Sequence, residues 1–275
     1  MAHLQVDFFS QTLQVGSSLE VILPEAASGA IGVSMERPED PPVLYLLHGL
    51  SDDQTIWMRR TSIERYAAEY GLAVVMPAVG RSFYTDMAAG PAYWTYVAEE
   101  VPAFVGRMFR LGSGRAKTFV AGLSMGGYAA MKLALRHPER YAAAASFSGA
   151  VDMATRVADL RERVTVAGAA ADPADHQRLH EYRSIFGESV EVHETEHDTV
   201  HLAREAARAG RALPSLYLAC GTEDFLYTDN ERFHRLLEEL GIEHTSITEP
   251  GDHEWGFWDR HVAKYLAWLR EKGLL

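Results

Sequence analysis

Residues 118–135 read TFVAGLSMGGYAAMKLAL, and this stretch decides the fold. TFVAG is a short apolar run of strand type, and YAAMKLAL is a strong helix former. Between them lies Gly-x-Ser-x-Gly-Gly, with Ser124 at its centre. A bare match to that pattern is common. Placed between a strand and a helix, it predicts a sharp turn that lifts the Ser124 hydroxyl above the sheet. Glycines at 122 and 126 would remove Cβ atoms that collide around such a turn. The amides that open the helix would then face a developing oxyanion. A helix N-cap also favours serine, but a cap does not account for glycine on both sides.

The surrounding chain repeats the same grammar. VLYLLHG (43–49) and LAVVMP (72–77) are continuous apolar runs, and YAAAASFSG (141–149) and PSLYLACG (214–221) follow. SIERYAAEYG (62–71) reads as a short helix closed by Gly71, and YWTYVAEEVPAFVGRMF (93–109) is helical with a kink expected at Pro102. Apolar runs alternating with amphipathic helices predict an α/β fold whose mostly parallel sheet is buried on both faces. The start, LQVDFFSQTLQV and SLEVILP, alternates in period two and predicts an antiparallel hairpin at a sheet edge. EAASGAIGVSMERPEDPP (25–42) is a loop by composition. Residues 152–211 break the rhythm and predict a helical insertion or cap within a single domain spanning 1–275. The rhythm resumes with DNERFHRLLEELG, HTSITEPG and a final helix from WDRHVAKYLAWLREKG.

Composition sets the outer limits. The chain has 275 residues, 47% of them apolar, which suffices for one large α/β domain. A net charge of -12 argues against nucleic-acid and anionic-membrane partners, which would repel it. The single cysteine, Cys220, excludes an internal disulfide and a cysteine metal site. MAHLQVDFFS lacks the basic and long apolar regions of a signal peptide, and no apolar run approaches a bilayer span, so a cytoplasmic location is expected. Exposed helical faces allow a homo-oligomer without requiring one.

A serine hydroxyl needs a base in reach and a carboxylate to orient that base. Ligands in open parallel sheets bind at the carboxyl ends of strands. On a sheet of this kind the order is Ser, then Asp or Glu, then His. Of the 12 histidines, His253 in EPGDHEWGF follows the last strand and precedes the last helix. His137 reads as a helix C-terminal charge, His234 and His261 lie within helices, and His48 ends the first core strand as a supporting residue. For the acid, CGTEDFLYTDN offers Glu223, Asp224 and Asp229. Asp224 is preferred, with Phe225 and Leu226 able to bury it. Asp229 reads as the cap of a helix starting near Glu231, and Glu223 as solvent-facing. Backbone amides of Leu50 and Met125 are the expected oxyanion donors.

Residues 193–197, His-Glu-Thr-Glu-His, formally match a zinc-protease pattern. That chemistry needs both imidazoles on one helical face. Thr195 and Asp198 look like N-caps, so a solvated segment at a helix start is preferred and no metal is expected.

Taken together, LLHGLSDDQTIW, GLAVVMP, RSFYTDMAAGPAYW, GLSMGGYAAMKLAL, CGTEDFLY and GDHEWGFWD resemble the tributyrin esterase branch of the esterase D-like α/β-hydrolases. That group is related to S-formylglutathione hydrolases, acetyl xylan and feruloyl esterases, and mycolyltransferases. The resemblance implies an α/β-hydrolase fold, with Ser124 as nucleophile, Asp224 as acid and His253 as base. It implies a serine esterase of short acyl esters, acetyl to butyryl and including acetylated sugars, acting without a cofactor on a small-molecule substrate. It also implies that SFYTDM (82–87) and AYW (92–94) border the pocket, with Tyr84 and above all Trp94 as its wall. Alternatives are a glutathione-thioester hydrolase, an acyltransferase with the same triad, or a non-catalytic binding module. S-formylglutathione hydrolases carry a cysteine shortly after the HGL segment, where this chain has Ser51, Asp52 and Asp53.

Overall fold

A computed structural model describes residues 1–25, 39–112 and 114–275, apart from the side chain of Ala169. Most of the expected loop at 25–42 therefore lies outside the described residues. The chain opens with strands β1 (Ala2–Ser10) and β2 (Val15–Leu23), then β3 (Val43–Leu47). Helices α1 (Ile56–Arg60) and α2 (Ile63–Tyr70) lead to β4 (Ala73–Pro77). The short α3 (Tyr93–Thr95) runs through a π turn into α4 (Val101–Phe109). Then come β5 (Thr118–Leu123), α5 (Met125–Arg136) and β6 (Ala143–Phe147). Helices α6 (Met153–Ala167), α7 (Pro173–Phe186) and α8 (Thr199–Arg208) precede β7 (Ser215–Gly221). The chain finishes with α9 (Tyr227–Glu239), β8 (His244–Glu249) and α10 (Trp255–Glu271).

The eight strands form one sheet in the order β1-β2-β4-β3-β5-β6-β7-β8. The first two strands pair antiparallel, as their period-two pattern predicts, and β2 meets β4 antiparallel. From β4 to β8 every pairing is parallel. Period-two alternation sorts the strand side chains into two cores. Val43, Tyr45, Leu47, Val120 and Leu218 face one side, where α4 to α9 pack. Leu44, Leu46, Phe119, Ala121 and Phe147 face the other, covered by α2 and α10. Central strands buried on both faces explain why their sequences are continuous apolar runs rather than alternating ones.

Local signals act as expected at several ends. Gly71 closes α2 in the left-handed region, with φ of 59°. The kink expected at Pro102 takes the form of the π turn over Tyr96–Glu100. Proline has no N–H to give to the carbonyl one turn back. That carbonyl, on Ala98, instead accepts a 2.7 Å bond from Arg140 Nη1. The helical character expected of 152–211 is present as α6, α7 and α8, all between β6 and β7. Asp152, Asp172 and Asp198 cap them by accepting first-turn amides.

Two expectations are corrected. The helix expected near Glu231 begins at Tyr227, so Asp229 sits in its first turn and does not cap it. Its carboxylate is instead bound by two arginines, Arg156 at 2.9 Å and Arg232 at 2.8 Å. In the His193–His197 segment, α8 starts only at Thr199, with Asp198 as its cap. Both histidines therefore precede the helix, and Thr195, whose hydroxyl accepts the His197 N–H at 3.2 Å, is not its cap.

Candidate active site

The turn at Ser124 is one of several places where a non-glycine residue has positive φ. Ser124 has φ 52° and ψ -114°, a conformation that L-residues avoid. Three hydrogen bonds hold it there. Its N–H donates to the Phe147 carbonyl at 2.9 Å, and its carbonyl accepts the N–H of Tyr128 (3.0 Å) and of Ala150 (3.1 Å). Close packing explains the flanking glycines. A Cβ on Gly122 would overlap the Gly126 backbone, and one on Gly126 would overlap the Leu47 carbonyl. The strand β5, the helix α5 and the end of β3 meet only because those atoms are missing. Met125 opens α5, so its amide is among the first-turn donors that lack an intrahelical acceptor.

His253 and Asp224 come together from the loops after β8 and β7. Nδ1 of His253 lies 2.9 Å and 3.0 Å from the two Asp224 carboxylate oxygens. The Asp224 side chain is fully buried. Burial alone would push its carboxyl up. The hydrogen bonds from His253, the Leu226 amide and the Ser148 hydroxyl outweigh this and hold it below the usual carboxylate range. The carboxylate on Nδ1 fixes the imidazole tautomer and leaves Nε2 able to take a proton. The ring is packed between Phe225, with centroids 4.5 Å apart, and Trp258, at 4.8 Å and nearly perpendicular.

Ser148 and Trp258 belong to this assembly, and the sequence did not disclose either. Ser148, with φ 47°, accepts the Trp258 indole N–H at 3.1 Å while touching Asp224. Its only sequence signal is its place just after an apolar run. Of Phe225 and Leu226, both expected to bury Asp224, Leu226 is itself 1% exposed, whereas Phe225 remains 64% exposed. Glu223 faces solvent as expected, with its carboxylate accepting the Gly251 amide at 2.6 Å.

His48 is buried and supports the first loop. Its Nε2 accepts the Val79 N–H at 3.2 Å, so Nδ1 carries the proton and donates to the Gly49 carbonyl at 2.7 Å. Burial holds its pKa below the ordinary histidine value, against the opposing effect of the Gly49 bond. The Gly49 carbonyl and the Leu50 N–H share one planar trans peptide and point in opposite directions. Anchoring the carbonyl on His48 therefore aims the Leu50 amide away from His48.

Leu50, Ser124 and Met125 line one cavity of about 470 Å³. Its far walls come from α6, α7 and α9. On α6 the lining residues Arg156, Asp159, Leu160 and Arg163 fall at i, i+3, i+4 and i+7, a single helical face. Arg81 ties α7 to the Leu50 loop through a two-pronged ion pair with Glu181 and a long 3.4 Å contact to the Leu50 carbonyl.

Tyr84 and Trp94 do not line this cavity, which corrects the expectation that they border it. Tyr84 is fully buried, and its hydroxyl donates to the His48 carbonyl at 3.1 Å. Trp94 packs beneath α5, with Lys132 Nζ 4.7 Å and the Arg136 guanidinium 4.2 Å from its ring centre. Cys220 is buried, and burial pushes its thiol up to about 12, far from a reactive thiolate. Among the described residues, no helix is long and apolar enough to cross a membrane.

Comparisons with known proteins bear on the family and the fold. A family model described as "Putative esterase" matches residues 10–269. A curated acetyl esterase of Caldicellulosiruptor saccharolyticus is 27% identical over 98% of both chains. The substrate-bound structure of FphF, a fluorophosphonate-binding serine hydrolase of Staphylococcus aureus, superposes with a TM-score of 0.82 at 34% identity, covering 98% of each chain. The S-formylglutathione hydrolase FrmB from Staphylococcus aureus gives a TM-score of 0.80 at 35% identity, again over 98% of each. The fold is thus that of the α/β-hydrolases, as the sequence resemblance implied.

Proposed function

The chain belongs to that esterase family and is a carboxylic ester hydrolase, and we infer that it cleaves short-chain acyl esters, acetyl to butyryl, through an acyl-enzyme on Ser124. The observation that carries this reading is the His253 imidazole, oriented by a fully buried carboxylate beside a cavity that Ser124 lines.

In this scheme Nε2 of His253 takes the Ser124 proton as the hydroxyl attacks the ester carbonyl. The Leu50 and Met125 amides receive the oxyanion. The protonated imidazole, stabilised by Asp224, then gives its proton to the departing alcohol. Water, deprotonated by the same nitrogen, releases the acid and restores the serine. No cofactor enters. Acetyl groups are supported by the acetyl esterase relative, and acetyl groups on sugars by the family resemblance.

The test is Ser124→Ala assayed on p-nitrophenyl acetate and butyrate. Turnover should fall by several orders of magnitude with the fold intact. Intact-mass analysis of the wild-type enzyme early in turnover should show one added acyl group, absent from the variant. An unchanged rate in Ser124→Ala overturns the scheme.

A thioester reading has one observation in its favour, the 35% identity to a protein titled S-formylglutathione hydrolase. Against it stand Ser51, Asp52 and Asp53 where the resemblance would place a cysteine. Comparing kcat/KM on S-formylglutathione with that on alkyl acetates decides between them. Adding alcohol acceptors and analysing products separates hydrolysis from acyl transfer.

A further inference from the structure

Among the described residues, five large hydrophobic side chains are exposed: Phe9, Val15, Met108, Val166 and Phe225. Only Phe225 lines the cavity that holds Ser124. Keeping a phenyl ring in water forgoes the gain from burying it, so its position needs a reason. The local chain had a buried alternative, because the adjacent Leu226 is 1% exposed. The turn that turns Phe225 outward is built by Asp224 itself, whose Oδ1 accepts the Leu226 N–H at 2.8 Å and whose carbonyl accepts the Tyr227 N–H at 2.9 Å.

The ring is also held in place from two sides. The His253 imidazole lies 4.5 Å away, tilted by 50°. The Arg156 guanidinium sits over the ring at 5.7 Å from its centre. Arg156 is anchored in turn, since Nη1 donates to Asp229 Oδ2 at 2.9 Å, and Asp229 is 7% exposed. A largely exposed phenyl ring is thus fixed directly beside the imidazole.

The chemistry says what passes there. The departing alcohol oxygen must come within hydrogen-bond reach of His253 to receive its proton. The carbon skeleton attached to that oxygen then lies against whatever flanks the imidazole on the cavity side. We propose that Phe225 is a specificity-determining residue, a platform for the leaving group that favours cyclic alcohols presenting a flat C–H or aromatic face over open-chain alcohols. Rings of this kind include pyranosides, cyclohexanols and phenols. The Arg156 guanidinium, 5.7 Å from the ring centre, offers donors to ring hydroxyls. This inference rests on the esterase reading above and adds the alcohol side to it.

The experiment measures kcat and KM of wild type, Phe225→Ala and Phe225→Trp on cyclohexyl acetate, phenyl acetate, a monoacetylated methyl glucoside and ethyl acetate. Stacking made equally in the ground and transition states appears in KM rather than kcat. In Phe225→Ala the preference for each cyclic ester over ethyl acetate should fall about three- to tenfold, through KM. Phe225→Trp should restore it. The pyranosyl and phenyl substrates show which ring the platform favours. An equal loss on all four esters, expressed in kcat, would mean that Phe225 acts only by packing His253 and overturns the proposal, as would an unchanged preference. Failure of the esterase reading looks different: wild type would turn over none of the four, and the platform would fall with it.

Discussion

His253 presents Nδ1 to both oxygens of Asp224, at 2.9 Å and 3.0 Å, and the carboxylate that receives it is fully sealed from solvent. A buried carboxylate with three donors has little freedom to move, so the imidazole inherits its orientation. Asp224→Asn keeps the shape but replaces an acceptor with an amide. The amide can present an N–H to Nδ1 and so select the wrong tautomer. We expect kcat to fall on the order of 10³- to 10⁴-fold with the melting temperature little changed. Activity within tenfold of wild type would show that another carboxylate orients the base.

The strained turn at Ser124 makes a prediction about stability rather than rate. With φ 52° and ψ -114°, a serine or alanine there carries a conformational cost of about 1–3 kcal/mol. Glycine escapes that cost but adds freedom to the unfolded chain, which costs about 0.5–1 kcal/mol. Ser124→Gly should therefore be more stable than Ser124→Ala by on the order of 1 kcal/mol in urea unfolding, while both are inactive. A Ser124→Gly variant less stable than Ser124→Ala would argue that the turn is not strained, since glycine's unfolded-state cost would then stand alone.

These two residues also show how far the sequence could be read. Strand, turn and helix around Ser124 were legible because each is a local pattern, and the glycines announced a close approach. Asp224 and His253 were legible from their places after apolar runs. What the sequence hid depends on contacts between distant segments. Ser148 reaches Asp224 and Trp258 only because β6, β7 and α10 converge. Tyr84 and Trp94 were misplaced because a tyrosine and a tryptophan near a pocket in sequence are equally good core residues. The start of α9 was set four residues late because Asp229 has a capping residue's chemistry, yet its partners, Arg156 and Arg232, lie on two helices.

His48 gives a third prediction, now about the oxyanion site. Its Nδ1–H is what anchors the Gly49 carbonyl and so aims the Leu50 amide. His48→Phe keeps the ring's bulk and removes both polar contacts. One misaimed oxyanion donor costs up to about 10²- to 10³-fold in kcat, and KM should change far less. An effect confined to KM would place His48 in substrate binding instead.

The last prediction concerns a cation enclosed away from the reacting groups. Lys132 on α5 is fully buried. Its Nζ meets the Tyr84 carbonyl at 3.4 Å, the Thr85 hydroxyl at 3.1 Å and His197 Nδ1 at 3.2 Å, and it lies over the rings of Trp94 and Tyr128. Burial, helped by the nearby positive charge of Arg136 and opposed by Glu196 and Asp86, brings its pKa down to about 7. In the unfolded chain a lysine titrates at about 10.4. Between those values the unfolded state binds a proton that the folded state does not, so stability rises with pH through this window. Below it both states are protonated and the cost of the buried cation is fully felt. Lys132→Met removes the group and with it the slope. The stability difference between wild type and Lys132→Met should therefore move in favour of wild type by on the order of 2 kcal/mol between pH 7 and pH 9. His197, which touches Lys132 Nζ, is held at about 3 by burial first and by Lys132 and Arg136 after it, so in wild type it is neutral throughout this range. Urea unfolding at the two pH values reads the difference directly. A difference that stays constant would mean that Lys132 keeps its proton across the whole window, and that the carbonyl, the hydroxyl and the two aromatic faces suffice to hold a full charge in the core.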